Sequence, residues 1–364
     1  MSYKSYKLPQ YPVERDMWDS IAEDKRPKMV YGMGNGADKL FERLSLCGVV
    51  PNEVFASDGF VRGHSFRGYK VRSLSEIKKE YDDFIILLSF ASNRSEILEM
   101  LTNICKTQDF YIPDMPVAGA EYFDKTFYNS HYNEILEAYN SLEDEDSKSA
   151  FSAIINYKLF GRMEYLLNCS SEICDIYSLL PENISVAIDA GAYNGDTVRE
   201  LLSFRSGIQK IYAVEPDVRN YKKLSKYIGE NGLESVVSAV NAAAWSSDEV
   251  GTFSGSGNRN SSVSSTKSYE NRSEQVSLTK IDSLTDAKVD YIKYDVEGAE
   301  LEALRGSDKV IEGSRPALLI SAYHRSEDVF FLVNYIKSRY PWYKLYIRRT
   351  PCVPAWEIAL IAIP

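Results

Sequence analysis

Two acidic stretches carry the residue types from which a reaction site can be built. The first runs Asp189-Ala-Gly191-Ala-Tyr-Asn194-Gly195-Asp196-Thr197 and is followed by Val214-Glu215-Pro216. The second runs Lys293-Tyr-Asp295-Val296-Glu297-Gly298-Ala-Glu300 and is followed by Tyr323-His324. In the first, apolar Val186 and Ile188 lead into Asp189, and Gly191 and Gly195 permit a tight turn that side-chain-bearing residues resist. Glu215 follows the turn at about the 20-residue separation at which a second strand end presents a carboxylate to a ribose. A pyrophosphate-binding turn needs G-x-G-x-x-G at a helix N-terminus, whereas this turn places the carboxylates of Asp189 and Asp196 where phosphates would sit. Anion against anion is unfavourable. The same acidic turn suits the cationic ammonium and sulfonium of S-adenosylmethionine.

The second stretch carries the reacting groups. Methyl transfer to a hydroxyl is an in-line displacement that rests on positioning and dehydration and is helped by a base. His324, one of three histidines, has the side chain that ordinarily titrates nearest neutrality and is the candidate base; a surface histidine capping Ser326 to Lys337 is the alternative. Asp295 is the candidate carboxylate beside the sulfonium, the alternative being a first-turn acid favoured by the helix dipole. Lys293 and Glu297 are candidates for holding substrate, together with His324. A divalent metal on Asp295, Glu297 and His324 is conceivable but not favoured, because the spacing is not diagnostic for hard cations.

These residues need strand ends to bring them together. Val186 to Asp189, Ile211 to Val214, Val236 to Val240, Val289 to Tyr294 and Ala317 to Ala322 read as buried strands alternating with helices. Tyr343 to Ile347 and Glu357 to Ile363 read as a closing antiparallel pair around a Pro-containing turn. In an open parallel sheet, ligands bind beyond the carboxyl ends of the strands, where Asp189, Glu215, Asp295 and His324 converge. Gly251 to Ser277, rich in Ser, Gly and Asn, reads as a substrate loop or an exposed hairpin.

From about residue 145 to the C-terminus the chain resembles the FkbM-type family of class I methyltransferases. The resemblance is carried by DAGAYNGDT at 189–197, Val214-Glu215-Pro216, Asn241-Ala242-Ala243, KYDVEGAE at 293–300, and Tyr323-His324 with Glu327-Asp328. It implies an α/β fold: a doubly wound class I sheet with a C-terminal antiparallel strand pair over residues 181–364. It also implies S-adenosylmethionine held by Asp189, Gly191, Asn194, Asp196, Thr197, Glu215, Pro216, Asn241, Ala242, Ala243, Asp295 and Val296. The implied reaction is O-methylation, with His324 and Asp295 as the catalytic pair. Elements preceding the first strand cover the cofactor in such enzymes, so residues 115–180 are expected to form a helical connector and partial lid.

Upstream, residues 1–27 read as an extended arm punctuated by Pro9, Pro12 and Pro27. Residues 28–114 read as a smaller Rossmann-like α/β domain. A strand at Lys28 to Tyr31 runs into Gly32-Met-Gly34-Asn-Gly36-Ala37, the G-x-G-x-x-A form of the dinucleotide fingerprint, and Asp58 stands about where a ribose-binding acid belongs. A nucleotide-sugar site at Gly32 to Asp58 and a scaffold that keeps the turn for packing are the two readings. Sugar-modifying enzymes carry similar small domains, so the expected acceptor is a hydroxyl of a sugar, glycan precursor or related metabolite. The alternatives are a non-catalytic nucleotide or sugar sensor on the same fold and, further off, a NAD-dependent oxidoreductase using the Gly32 turn. The N-terminal domain is expected to be separable.

With 364 residues the chain can bury two cores. A net charge of -10 without a basic run argues against nucleic acid as partner. Five scattered cysteines without C-x-x-C spacing fit reduced thiols and a cytoplasmic protein. The longest apolar runs are strand-sized, so no membrane insertion is expected.

Overall fold

The computed structural model describes residues 6–61, 63–254, 262–264 and 273–364. Most of Gly251 to Ser277, the proposed substrate loop or hairpin, lies outside them; its described ends, Glu249–Ser254 and Ser273–Thr279, pair as antiparallel strands.

The arm is not wholly extended. Asp16 accepts hydrogen bonds from the N–H groups of Trp18 and Asp19 and caps α1 (Met17–Glu23), whose Met17, Trp18 and Ile21 are buried. The Asp16-x-x-Asp19 capping box was legible in the sequence. The N-terminal sheet then contains β1 (Lys28–Tyr31), β2 (Glu53–Ala56), β3 (Ser65–Phe66), β4 (Tyr69–Ser73), β5 (Ile85–Leu88) and β6 (Asp109–Tyr111), in the order β3-β4-β2-β1-β5-β6. Only the β3–β4 pair is antiparallel. Helices α2 (Asn35–Leu46), α3 (Leu74–Glu80) and α4 (Ser95–Cys105) alternate with the strands. At the fingerprint, a Cβ on Gly32 would stand 2.5 Å from Ser89 Oγ and one on Gly36 2.3 Å from the Ser89 carbonyl oxygen. The close approach of the β5 end therefore accounts for two of the three glycines, while Gly34 faces open space.

The connector is helical. It contains α5 (Lys125–Ser130), α6 (Tyr132–Ser141), α7 (Glu145–Phe160), α8 (Met163–Leu167) and α9 (Ile173–Leu179). Gly161 adopts the left-handed conformation (φ 62°) that stops α7 and separates it from α8. Rather than lying over a site, α7 is buried on nearly every face from Ala150 to Leu159. Lys158 Nζ lies 2.6 Å from Asp114 Oδ2 in a buried ion pair that ties α7 to the segment leaving the N-terminal sheet. On the other side, Ile347 N–H donates to Ser147 Oγ at 3.0 Å, and Arg348 pairs with Asp144 at 2.6 Å.

The C-terminal sheet contains β7 (Val186–Ala190), β8 (Lys210–Val214) and β9 (Val237–Val240). A small side sheet follows: β10 (Ala243–Ala244), β11 (Glu249–Ser254), β12 (Ser262–Ser264) and β13 (Ser273–Thr279). The main sheet resumes with β14 (Tyr291–Tyr294), β15 (Ala317–Ser321), β16 (Lys344–Arg349) and β17 (Ile358–Ile363), giving the order β16-β17-β15-β14-β7-β8-β9. Its helices are α10 (Asp196–Phe204), α11 (Val218–Glu230), α12 (Glu300–Arg305), α13 (Asp308–Ser314) and α14 (Asp328–Arg339). β17 is antiparallel to both β15 and β16, as expected of the C-terminal pair. The order reverses between β7 and β14, and this switch point opens the crevice beyond the carboxyl ends.

One hydrophobic cluster joins both sheets through α7, including Met29 and Ile86 at one end, Phe151 and Ile154 between, and Ile188, Tyr294 and Ile320 at the other.

Candidate active site

Strand register sets the first contacts. Lys293 of β14 is the direct partner of Asp189 of β7, and Val214 of β8 is the partner of Ala190. Glu215 therefore lies beside the Gly191 turn, and Asp295 lies one residue beyond the strand pair. Gly191 has φ 94°, and a Cβ on it would stand 1.9 Å from the Asp295 carbonyl oxygen. Only glycine lets the two strand ends come this close.

Glu215 is buried, and its two carboxylate oxygens each accept one backbone N–H at 2.9 Å, from Tyr193 and from Asp217. Burial pushes its carboxyl up to about 7, with those two hydrogen bonds opposing and the charges of Asp217 and Asp189 adding to the rise. Asp189 accepts the Thr197 hydroxyl on Oδ2, and its Oδ1 is 3.8 Å from Lys293 Nζ. Burial raises its carboxyl despite Lys293. The lysine charge is held mainly by Asp295, whose Oδ2 is 3.1 Å away. Burial alone would drive the ammonium down, but Asp295 and Asp189 hold it well above the usual lysine range. In turn, Asp295 stays below the usual carboxylate range because Lys293 and His324 outweigh its burial.

A cavity of about 610 Å³ opens at this edge. Acidic Asp196, Glu200, Glu215, Asp217, Asp295, Glu297 and Glu357 line it, with Lys293 as the cationic side chain among the lining residues. Tyr193 (φ 45°), Glu297 (φ 54°) and Glu357 (φ 63°) hold left-handed backbone conformations there, a form of strain that concentrates at functional sites.

Of the residues picked from the sequence, Gly191, Asp196, Thr197, Glu215, Pro216, Ala243, Lys293, Asp295, Val296 and Glu297 line this cavity. Asp189 sits just behind the wall. Asn194 and Ala242 are not among the lining residues, and Ala244 lines the cavity beside Ala243. Asn241 braces the loop instead: its Nδ2 donates to the carbonyls of Glu215 at 2.8 Å and Pro216 at 3.1 Å.

His324 departs both from the base titrating near neutrality expected of it and from the surface histidine that is its alternative. It is fully buried behind the cavity wall and surrounded by carboxylates. Its Nδ1 is 2.9 Å from Glu300 Oε1, and its Nε2 is 3.6 Å from both Asp295 Oδ1 and Glu297 Oε2. Burial would lower the imidazole, but Glu300, Asp295 and Glu297 together lift it to about 10. The segment following β6 covers it, with Ala118 N–H donating to the His324 carbonyl at 2.8 Å.

Sequence reading missed several lining residues. Tyr193 lies inside the first motif, and Glu200, Asp217 and Asn220 follow within a few residues of one, a closeness in sequence that was the available signal. Asn93 comes from the loop before α4, Ser95 and Leu98 from the start of α4, and Ile173 and Ile176 from α9. A two-residue bridge between Ser92 and Val353 fixes the α4 end against the loop carrying Thr350 and Pro351. No local pattern announces this long-range contact.

Residues 189–340 match the Methyltransferase FkbM domain family model. Over residues 189–340 the chain carries an FkbM methyltransferase domain. The crystal structure of Methyltransferase FkbM from Methylobacillus flagellatus KT is similar in fold to nearly the whole chain. Its TM-score is 0.69 at 20% identity, covering 98% of this chain and 94% of that one. The likeness thus takes in the N-terminal sheet as well as the FkbM methyltransferase domain. A protein from Streptococcus mutans described as a methyltransferase in complex with SAH (13% identity, 53% of this chain, 98% of that chain, TM-score 0.33) is also similar. So is a SAM dependent methyltransferase from Aquifex aeolicus (14%, 52%, 86%, 0.32). Those two scores are too low to support more than the first match does. No curated protein sequence matches the chain.

Proposed function

We propose that the FkbM methyltransferase domain uses S-adenosylmethionine to methylate a hydroxyl of a sugar, glycan precursor or related metabolite. The observation that carries the reading is the acidic cavity at the switch point, in which Glu215 turns a carboxylate toward the space beside the Gly191 turn.

The residues present fit the cofactor. Glu215, with one acceptor site on each oxygen taken by backbone, has lone pairs left for a pair of ribose hydroxyls. Ala243 and Ala244 give an uncharged wall suited to an adenine, and the excess of carboxylates favours a cationic ligand over a dinucleotide phosphate. When bound, S-adenosylmethionine supplies an electrophilic methyl group on a positively charged sulfur.

The chain's own residues do the rest. Lys293 fixes the Asp295 carboxylate, and Asp295 and Glu297 are the oxygen acceptors that face the cavity near the β14 end. Either can receive the proton of an acceptor hydroxyl, a role that His324, buried behind the cavity wall, does not fill. Asn93, Ser95, Thr350, Tyr323 and Glu357 offer hydrogen-bonding groups at the α4 side, and such a lining suits a polyhydroxyl acceptor.

The test has two steps. Calorimetry should show S-adenosylmethionine and S-adenosylhomocysteine binding to one site, with no binding of NADH. Incubation with methyl-labelled cofactor and a panel of free and nucleotide-linked sugars should then label a hydroxyl. Binding of NADH in place of the methyl donor would sink the reading, whereas cofactor binding with label found only on non-carbohydrate acceptors would remove the sugar assignment alone.

A further inference from the structure

Three carboxylates stand around the one imidazole of His324. The imidazole is wholly buried, and Nε2 has no hydrogen-bond partner among the described residues. Two carboxylate oxygens, Asp295 Oδ1 and Glu297 Oε2, stand 3.6 Å from Nε2. That separation is too long for a hydrogen bond. It is the ligand-to-ligand spacing of an imidazole nitrogen and a carboxylate oxygen that share one cation at roughly 2.0–2.2 Å. Among the described residues, the group whose ligand atoms all lie within 4.8 Å of one another is Asp295, Glu300 and His324; Glu297 adds a carboxylate that reaches the same imidazole.

The other side of the imidazole is arranged as metal-bound histidines are. Nδ1 faces Glu300 Oε1 at 2.9 Å, and that oxygen also accepts the Val296 N–H at 3.0 Å. A carboxylate that receives the Nδ1 proton fixes the tautomer with the lone pair on Nε2, directed at Asp295 and Glu297. Glu297 holds a left-handed backbone at φ 54°, and Gly298 follows at φ 95°. A Cβ on Gly298 would stand 2.5 Å from Ala118 Cβ, so the tight turn that aims Glu297 at Nε2 depends on glycine.

We propose that His324, Asp295 and Glu297 bind a divalent cation, with Glu300 orienting the imidazole. The mixed nitrogen and oxygen donor set suits Mn²⁺ or Zn²⁺, and more weakly Mg²⁺. Because Asp295 and Glu297 also line the cavity, the remaining coordination positions face it and can take an oxygen of the acceptor. That last role rests on the proposed methyl transfer; cation binding does not, and it is measured without cofactor.

The experiment uses the full chain after chelator treatment and dialysis, titrated with MnCl₂ and separately with ZnCl₂ by calorimetry, with free Mn²⁺ followed by electron paramagnetic resonance. One saturable equivalent per chain is expected. His324→Ala and Glu297→Gln should each abolish the saturable step, and Glu300→Gln should weaken it by roughly 10- to 100-fold, as loss of an orienting partner does. Glu312→Gln, on the surface of α13, should leave it unchanged. Absence of a saturable step in the wild type overturns the proposal, as does a step that survives Glu297→Gln. Glu297 is part-exposed at the cavity, so its variant decides the matter even where His324→Ala does not fold. S-adenosylmethionine binding measured on the same samples separates failure of the cation site from failure of the proposed function.

Discussion

Glu215 is the residue at which burial and the proposed function meet. A buried carboxylate is normally a liability, and this one is lifted to about 7 chiefly by its burial. Only the ionised form accepts two ribose hydroxyls. S-adenosylmethionine affinity should therefore hold above that value and fall toward about tenfold per pH unit below it, provided no other group titrates with it. Calorimetry between pH 5.5 and 8 checks this, and Glu215→Ala should weaken binding by about 1–3 kcal/mol at pH 8. The sign for folding is the reverse. With the folded pKa above the unfolded one, this group removes stability from the cofactor-free protein as pH rises from the ordinary glutamate range to about 7. Lys293 is the second residue with a defined cost. Its ammonium stands between the buried carboxylate of Asp189 and the cavity-lining carboxylate of Asp295, so Lys293→Met leaves both uncompensated and should cost about 3 kcal/mol, read as a lower urea midpoint with unchanged slope.

Among the elements, the β7–α10 turn and the β14 end act as one unit. Gly191→Ala adds a Cβ 1.9 Å from the Asp295 carbonyl oxygen at a φ of 94°. The two strand ends must then separate, and both the Glu215 side and the Asp295 side of the cavity move. The expected outcome is loss of S-adenosylmethionine binding together with a lower melting temperature. By contrast, Gly34→Ala in the N-terminal fingerprint meets open space and should leave melting within a degree or two of wild type. The contrast separates glycines required by packing from those that are not.

For the whole molecule, the continuous core changes what a truncation should do. A fragment starting at residue 145 keeps every FkbM motif but strips α7 of the N-terminal surface it packs against. It leaves Lys158 without Asp114 and the cavity without Asn93, Ser95 and Leu98. Such a fragment should aggregate or unfold without a cooperative transition, judged by scanning calorimetry and size-exclusion chromatography, instead of behaving as an independent domain. In the full chain, Leu98→Trp should narrow the cavity on the N-terminal side. It should raise KM for the acceptor several-fold while leaving the S-adenosylmethionine Kd within about twofold. Among the described residues no helix is long and apolar enough to cross a membrane.

By itself the sequence determined the succession of strands along the C-terminal half and the identity of its acidic edge. Both follow from local signals: a hydrophobic run ending in Asp189, glycines at a fixed offset, and a second run ending in Glu215. The structure finds each of these on the strand or turn read for it. What only the tertiary structure decided is the state of each charged group. His324 looks like a neutral base when its sequence neighbours are considered, yet Asp295, Glu297 and Glu300 close around it from another strand and helix and make its pocket one that favours positive charge. Likewise α7, a plain apolar helix in sequence, becomes the shared core of two sheets, and the tip of α4 becomes part of a cavity formed about a hundred residues downstream. Hydrophobic periodicity and turn chemistry are local properties of the chain. Desolvation and charge neighbourhood are properties of space, and they exist only once the strands have been brought side by side.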